Sequence, residues 1–182
     1  LEMPYSELFA WLDGHGDKPQ INSNQIFHPM MLSNPLDAER GFERLDPAAY
    51  NAEWKWDGIR VQLVIHTAGN GDDNSATARM FSRTSDDISA AFPDVTASLR
   101  GQAVLDGELL IGRPAKTDPA PLATMTRDPQ PFTRLQQRLN RKQAAKTHLR
   151  DLPAFVRVYD MLFDGDTDIR SLPLTARRDR LV

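Results

Sequence analysis

The chain of 182 residues has no cysteine, which excludes disulfides and thiolate metal sites. It has four histidines, and His15, His28, His66 and His148 fall at no ligand spacing, so zinc chemistry is not expected. No apolar run approaches the ~18 residues of a membrane span, and the opening Leu1-Glu2-Met3-Pro4 has no leader pattern, so a cytoplasmic protein is expected. An overall basic charge is also missing. With 22 Lys and Arg against 25 Asp and Glu, the net charge is −3, which argues against a uniformly basic nucleic-acid binder. There is no internal repeat and no low-complexity tract. What remains is a chain with 40% apolar residues, enough for one good-sized core and one domain.

The most informative segment is Glu53-Trp54-Lys55-Trp56-Asp57-Gly58-Ile59-Arg60. Read as a β-strand continuing into Val61-Gln62-Leu63-Val64-Ile65-His66, it places Glu53, Lys55 and Asp57 on one face and Trp54 and Trp56 on the other. One face can pack while the other does chemistry. A lysine amine attacks only as the free base, and two flanking carboxylates favour the protonated form. Reaction at Lys55 therefore requires a further positive charge, from a metal ion or from arginines. The plain alternative is a solvated strand face on which Lys55 pairs with its acidic neighbours.

Further motifs follow in order. Phe81-Ser82-Arg83 closes a short strand, Val104-Leu105-Asp106-Gly107-Glu108-Leu109-Leu110 sets an acidic pair within an apolar run, and Val156-Arg157-Val158-Tyr159-Asp160-Met161-Leu162-Phe163 is another strand carrying an inward aromatic. Each has a simpler reading. Arg83 could neutralise a helix start capped by Ser85 or Asp86, with Asp87 at the positive end of the dipole. Asp106-Gly107 could be a turn, although a glycine inside a strand also marks close backbone approach. Tyr159 could be a core aromatic.

Taken together with Lys55-x-Asp57-Gly58-x-Arg60, these motifs resemble the adenylation domain of ATP-dependent DNA ligases of bacterial type, within the covalent nucleotidyltransferase superfamily. The likeness runs from His28-Pro29-Met30-Met31 to the end of the chain. It implies an α+β, ligase-type nucleotidyltransferase (ATP-grasp-like) fold, with two antiparallel sheets flanked by helices around a nucleotide cleft. It also implies that Lys55 attacks the α-phosphate of ATP and holds AMP as a phosphoramidate. Glu53 matches the residue that contacts adenine, Arg60 and Arg83 match arginines on the sugar and phosphates, and Tyr159 stands where an aromatic stacks on the base, often phenylalanine in the family. Glu108 matches the acid that binds the ribose hydroxyl and, in some steps, a divalent metal. The implied cofactors are ATP and Mg2+, and the implied partner is nicked double-stranded DNA, bound by a monomer associated with the nucleoid. The implied role is nick sealing in repair, replication or recombination. RNA ligases and capping guanylyltransferases share the lysine motif, and a nucleotide- or DNA-binding module without catalysis is the alternative from another class. The family's later acidic and lysine-rich motifs and its OB-fold are not in this sequence, so a C-terminally truncated fragment is expected.

The remaining organisation follows from breakers and charge. Residues 1–27 read as a helical lead, with Tyr5, Leu8, Phe9 and Leu12 on an amphipathic helix ended by Gly14-His15-Gly16; residues 28–182 read as the partial adenylation domain. Residues 69–74 are a polar turn and 114–131 a proline-rich surface loop. Arg134, Arg138, Arg141, Lys142, Lys146 and Arg150 have no acid among them. Leu135, Leu139, Lys142 and Lys146 fall near helical spacing, which predicts a packed stripe with the arginines turned to solvent, facing either a DNA backbone or water alone. A last helix is expected from near Pro173.

Overall fold

A computed structural model describes residues 5–17, 26–33, 35–36, 41, 43, 45–67, 76–113, 128–139 and 145–181. Its centre is a five-stranded antiparallel sheet in the order β2-β1-β3-β4-β5, with β1 at Ile59–Thr67, β2 at Ala76–Ser82, β3 at Ala103–Ile111, β4 at Ala154–Asp164 and β5 at Thr167–Asp168. The described residues thus form one sheet where two were expected. The helices are α1 (Tyr5–Leu12), α2 (Pro93–Thr96), α3 (Phe132–Leu139), α4 (Lys146–Asp151) and α5 (Leu174–Arg178). The expected turn at 69–74, residues 114–127 of the proline-rich stretch, and Arg141 and Lys142 lie outside the described residues.

Alternation along β1 decides the two faces. Val61, Leu63 and Ile65 point to a core that also holds Met80, Phe92, Val95, Leu109, Ile111, Leu135 and Leu152, under α2 and α3. Burying each such side chain stabilises by about 1.5–3 kcal/mol. Arg60, Gln62 and Val64 fall on the opposite face. There, Val64, Phe81, Val104, Leu162 and Phe163 make a second, smaller cluster with Phe27 packed on it, leaving the β4 side of that face open.

Two glycines are required by close approach. A Cβ on Gly107 would lie 2.5 Å from Val156 Cγ1 and 2.8 Å from the Arg157 carbonyl oxygen. Asp106-Gly107 is accordingly inside β3 and is no turn, and the ladder to β4 shifts register there. A Cβ on Gly58 would collide with the Leu109 carbonyl oxygen and approach Leu110 Cδ2 to 2.8 Å.

Several expectations are corrected. The strand begins at Ile59, so residues 51–56 carry Glu53 and Lys55 in chain without regular secondary structure and residues 57–58 form a bend. The ladder stops where Gly58 meets β3, and no pleat alternation governs the residues before it. Trp54 is 83% exposed, so the two tryptophans do not form a packed face. After β2, neither Ser85 nor Asp86 caps the next turn, whose N-cap is Ile88 with no side-chain bond; Asp87, just before it, accepts from the Ser89 N–H at 3.0 Å, and its neutralising partner is Arg79 at 2.7 Å, not Arg83. Ser85 takes φ 67° in the tight turn. The helix expected near Pro173 is α5, with that proline as its N-cap, and α1 is followed by Gly14 and Gly16 at φ 77° and 95°.

The basic run is the largest correction. Arg138 is 1% exposed. Its guanidinium binds both Asp94 oxygens at 2.7 and 2.8 Å, and the Ala91 and Leu152 carbonyls at 2.6 and 2.9 Å. Its neighbours Leu135 and Leu152 are buried as well. Arg138 thus ties α3, α2 and the entry to β4 together, while Arg134 and Lys146 are exposed and Arg150 pairs with Asp151.

Candidate active site

Three strands bring charge into one row on the open sheet face. Arg60 on β1 lies opposite Glu108 on β3, and Glu108 lies opposite Arg157 on β4. Paired residues of neighbouring antiparallel strands share a face, so Glu108 stands between Arg60 and Arg157 in the ladder. Burial pushes the Glu108 carboxyl above its ordinary value, partly offset by the Gly58 N–H that it accepts and by the charges of Lys55 and Arg60. Lys55 and Asp57 are both close enough for their charges to act on Glu108, while Lys55 is exposed.

Arg60 is fixed from below. It donates to Asp106 Oδ2 at 2.7 Å and to the Met31 carbonyl at 2.7 Å. Asp106 is fully buried and also accepts from Gln62 at 3.1 Å, and Gln62 makes two bonds to the His28 backbone, at 2.6 and 3.1 Å. The His28-Pro29-Met30-Met31 segment is thereby laced to the sheet through Gln62 and Arg60. A buried, charge-assisted network of this kind holds its members in one geometry.

Beside the row, a cleft of about 660 Å³ opens between β4 and the segment before β1, lined by Glu53, Trp54, Trp56, Arg157, Tyr159 and Arg178 among others. Arg157 stacks on the Trp56 ring at 4.0 Å, and the Arg60 guanidinium is 6.0 Å from the Tyr159 ring. Burial pushes the Tyr159 hydroxyl up to about 12, so the ring is a neutral platform across the physiological range. Such a cleft offers a flat aromatic face, a carboxylate and cations, the set that a nucleotide calls for.

The six residues singled out in the sequence are not placed alike. Glu53 and Tyr159 line the cleft, Arg60 and Glu108 stand on the adjoining sheet face, and Lys55 lies on the segment that forms the cleft wall. Arg83 is exposed in the turn after β2, on the far edge of the sheet from the cleft. Reading the sequence missed Arg157, Arg178, Asp106 and Gln62. The signal for Arg157 was its place two residues before Tyr159, on the same strand face; Arg178 carried none, because its partner Glu53 is remote in sequence.

For the implied metal, the donors fit magnesium. Among the described residues no group of three or more His, Asp or Glu could hold an ion, but Mg2+ takes one or two carboxylates and completes its shell with water and phosphate oxygens. Glu108 offers a hard oxygen donor of that kind, with Asp57 nearby.

Residues 29–182 match the family described as ATP dependent DNA ligase domain. Over 167 residues the chain is 32% identical to the probable DNA ligase of Koribacter versatilis, covering 88% of this chain and 25% of that protein. It is 33% identical over 165 residues to DNA ligase 1 of Korarchaeum cryptofilum, covering 86% and 26%. The chain thus spans about a quarter of the length of these relatives. A solved mycobacterial DNA ligase D complexed with ATP and MES aligns at 22% identity over 71% of this chain and 34% of that one, with a TM-score of 0.45, a likeness too slight to add to the family match. No helix among the described residues is long and apolar enough to cross a membrane.

Proposed function

Because the chain belongs to the ATP-dependent DNA ligase domain family, we propose that the cleft binds ATP and that Lys55 takes AMP from it, as the first step in sealing nicked duplex DNA. The observation that carries this reading is the convergence of Glu53, Tyr159, Arg60 and Glu108 around the segment bearing Lys55. Tyr159 stacks on the adenine, and Glu53 accepts from its amino group. Arg60, held by Asp106, presents charge toward the sugar and phosphates, and Glu108 accepts from the ribose hydroxyl. The Lys55 Nζ forms a bond to the α-phosphorus as the bond to the pyrophosphate oxygen breaks, leaving lysyl-AMP and pyrophosphate. In the intact enzyme AMP then passes to the 5′-phosphate at a nick, and the 3′-hydroxyl displaces it.

In some steps Glu108, together with phosphate oxygens, would hold magnesium. Bound magnesium would shield phosphate charge and favour the unprotonated amine. Arg83 belongs to this scheme as a phosphate contact made from outside the cleft. Among the described residues of the basic run, Arg134 and Lys146 are exposed and available to a DNA backbone.

The test is intact mass measurement after incubation with ATP and magnesium, beside Lys55→Ala. A gain of one AMP in the parent alone supports the proposal. No gain in the parent favours a binding module without catalysis, and equal gain in both removes Lys55 from its role. Labelled GTP in place of ATP separates an adenylating ligase from a capping-type guanylyltransferase.

A further inference from the structure

We infer that Arg178 is a positioning residue for base selectivity, holding Glu53 and Tyr159 in fixed relation; this rests on the reading of the cleft as an ATP site. Glu53 sits in chain without regular secondary structure, so no strand ladder sets its place. A side chain does. Arg178 forms an ion pair with Glu53 and donates through Nε to the Tyr159 carbonyl oxygen at 2.8 Å. One guanidinium therefore spans the two groups proposed to meet the base, joining positions remote in sequence.

The strut is itself anchored. The preceding residue, Arg177, is 8% exposed and grips Asp160 through two bonds, at 2.8 and 2.9 Å, while also donating to the Leu172 carbonyl. That fork seats α5 on β4 beside Tyr159, so Arg178 emerges from a rigid base. Glu53 keeps 45% of its side chain exposed and lines the cleft, which leaves carboxylate surface for a ligand.

Selectivity follows from chemistry at one ring position. Adenine carries an amino donor where guanine carries a carbonyl acceptor, so a carboxylate held there accepts from the first and repels the second. Stacking on Tyr159 does not distinguish them. Without Arg178, Glu53 can swing away on its irregular segment, and discrimination falls while stacking persists.

The experiment measures ATP and GTP binding to the whole chain with magnesium, by titration calorimetry, for the parent, Arg178→Gln, Arg178→Lys, Glu53→Gln and the Arg178→Gln/Glu53→Gln double variant. The parent prefers ATP. Arg178→Gln lowers the ATP-over-GTP ratio about tenfold, the worth of one charge-assisted hydrogen bond, with GTP affinity almost unchanged. Arg178→Lys falls between, since a point charge cannot reproduce the fork. Adding Arg178→Gln to Glu53→Gln changes the ratio no further. A parental ratio in Arg178→Gln, equal loss for both nucleotides, or additive loss in the double variant overturns the inference. If Arg178→Gln does not fold by circular dichroism, Glu53→Gln and Arg178→Lys decide, and an undiminished ratio in either overturns it. A parent that binds no ATP sinks the nucleotide reading of the cleft and the inference with it.

Discussion

Replacing Arg138 with alanine asks whether the basic run after Phe132 is a DNA-facing surface or part of the core. The side chain is 1% exposed and satisfies Asp94 through two bonds, the Ala91 and Leu152 carbonyls through one each, and lies 4.5 Å from the Phe92 ring centre. Its removal leaves Asp94 with the Ala154 N–H at 2.8 Å and strands two carbonyls. Breaking one side of a buried pair costs about 3–5 kcal/mol. Asp94 is 16% exposed, so water can partly replace the guanidinium, and the lower end, about 3 kcal/mol, is expected. For a chain of this length that lowers Tm by about 6–12 °C. Urea unfolding should show a lower midpoint with an unchanged slope, whereas Arg134→Ala, at an exposed position, should stay within about 0.5 kcal/mol. The salt dependence of the proposed DNA binding supplies the second arm: Arg134→Ala should reduce the slope by about one and Arg138→Ala should leave it alone. A cost under about 1 kcal/mol for Arg138→Ala, or a reduced salt slope at unaltered stability, would refute the reasoning.

Three further outcomes are expected. Asp106→Ala strands Arg60 and Gln62 and should cost about 2–4 kcal/mol while weakening ATP binding; chemical denaturation and nucleotide titration check this, and unchanged ATP affinity would show that Arg60 needs no such support. Burial holds the Glu108 proton more tightly in the folded chain than in the unfolded one, so this group's stabilising contribution is complete below the ordinary 4.5 and is lost as pH climbs through the raised value. Glu108→Gln should therefore flatten that part of a stability-against-pH curve, and two superimposable curves would count against it. Gly107→Ala drives a methyl group into Val156 and the Arg157 carbonyl and should destabilise by about 1–3 kcal/mol, read by thermal melting; a wild-type Tm would mean that β3 and β4 are not so closely apposed.

The sequence by itself determined the elements whose signal is local. The β-branched runs of β1, β3 and β4, the glycines after α1, and the α+β class were legible because alternation and turn chemistry act over a few residues. So was the family, since Lys55-x-Asp57-Gly58-x-Arg60 and the later motifs stand in a characteristic order. Only the tertiary structure decided what each charge faces. Arg138 reads as one more cation on a basic helix, yet it is buried because α2 brings Asp94 to it, and Arg178 matters because α5 folds back across β4 to meet Glu53. Even the strand assigned to Lys55 was settled from outside, where Gly58 runs into β3 and the ladder ends. The reason is the same in each case: a charged side chain's role is set by partners remote along the chain, and sequence spacing carries no record of them.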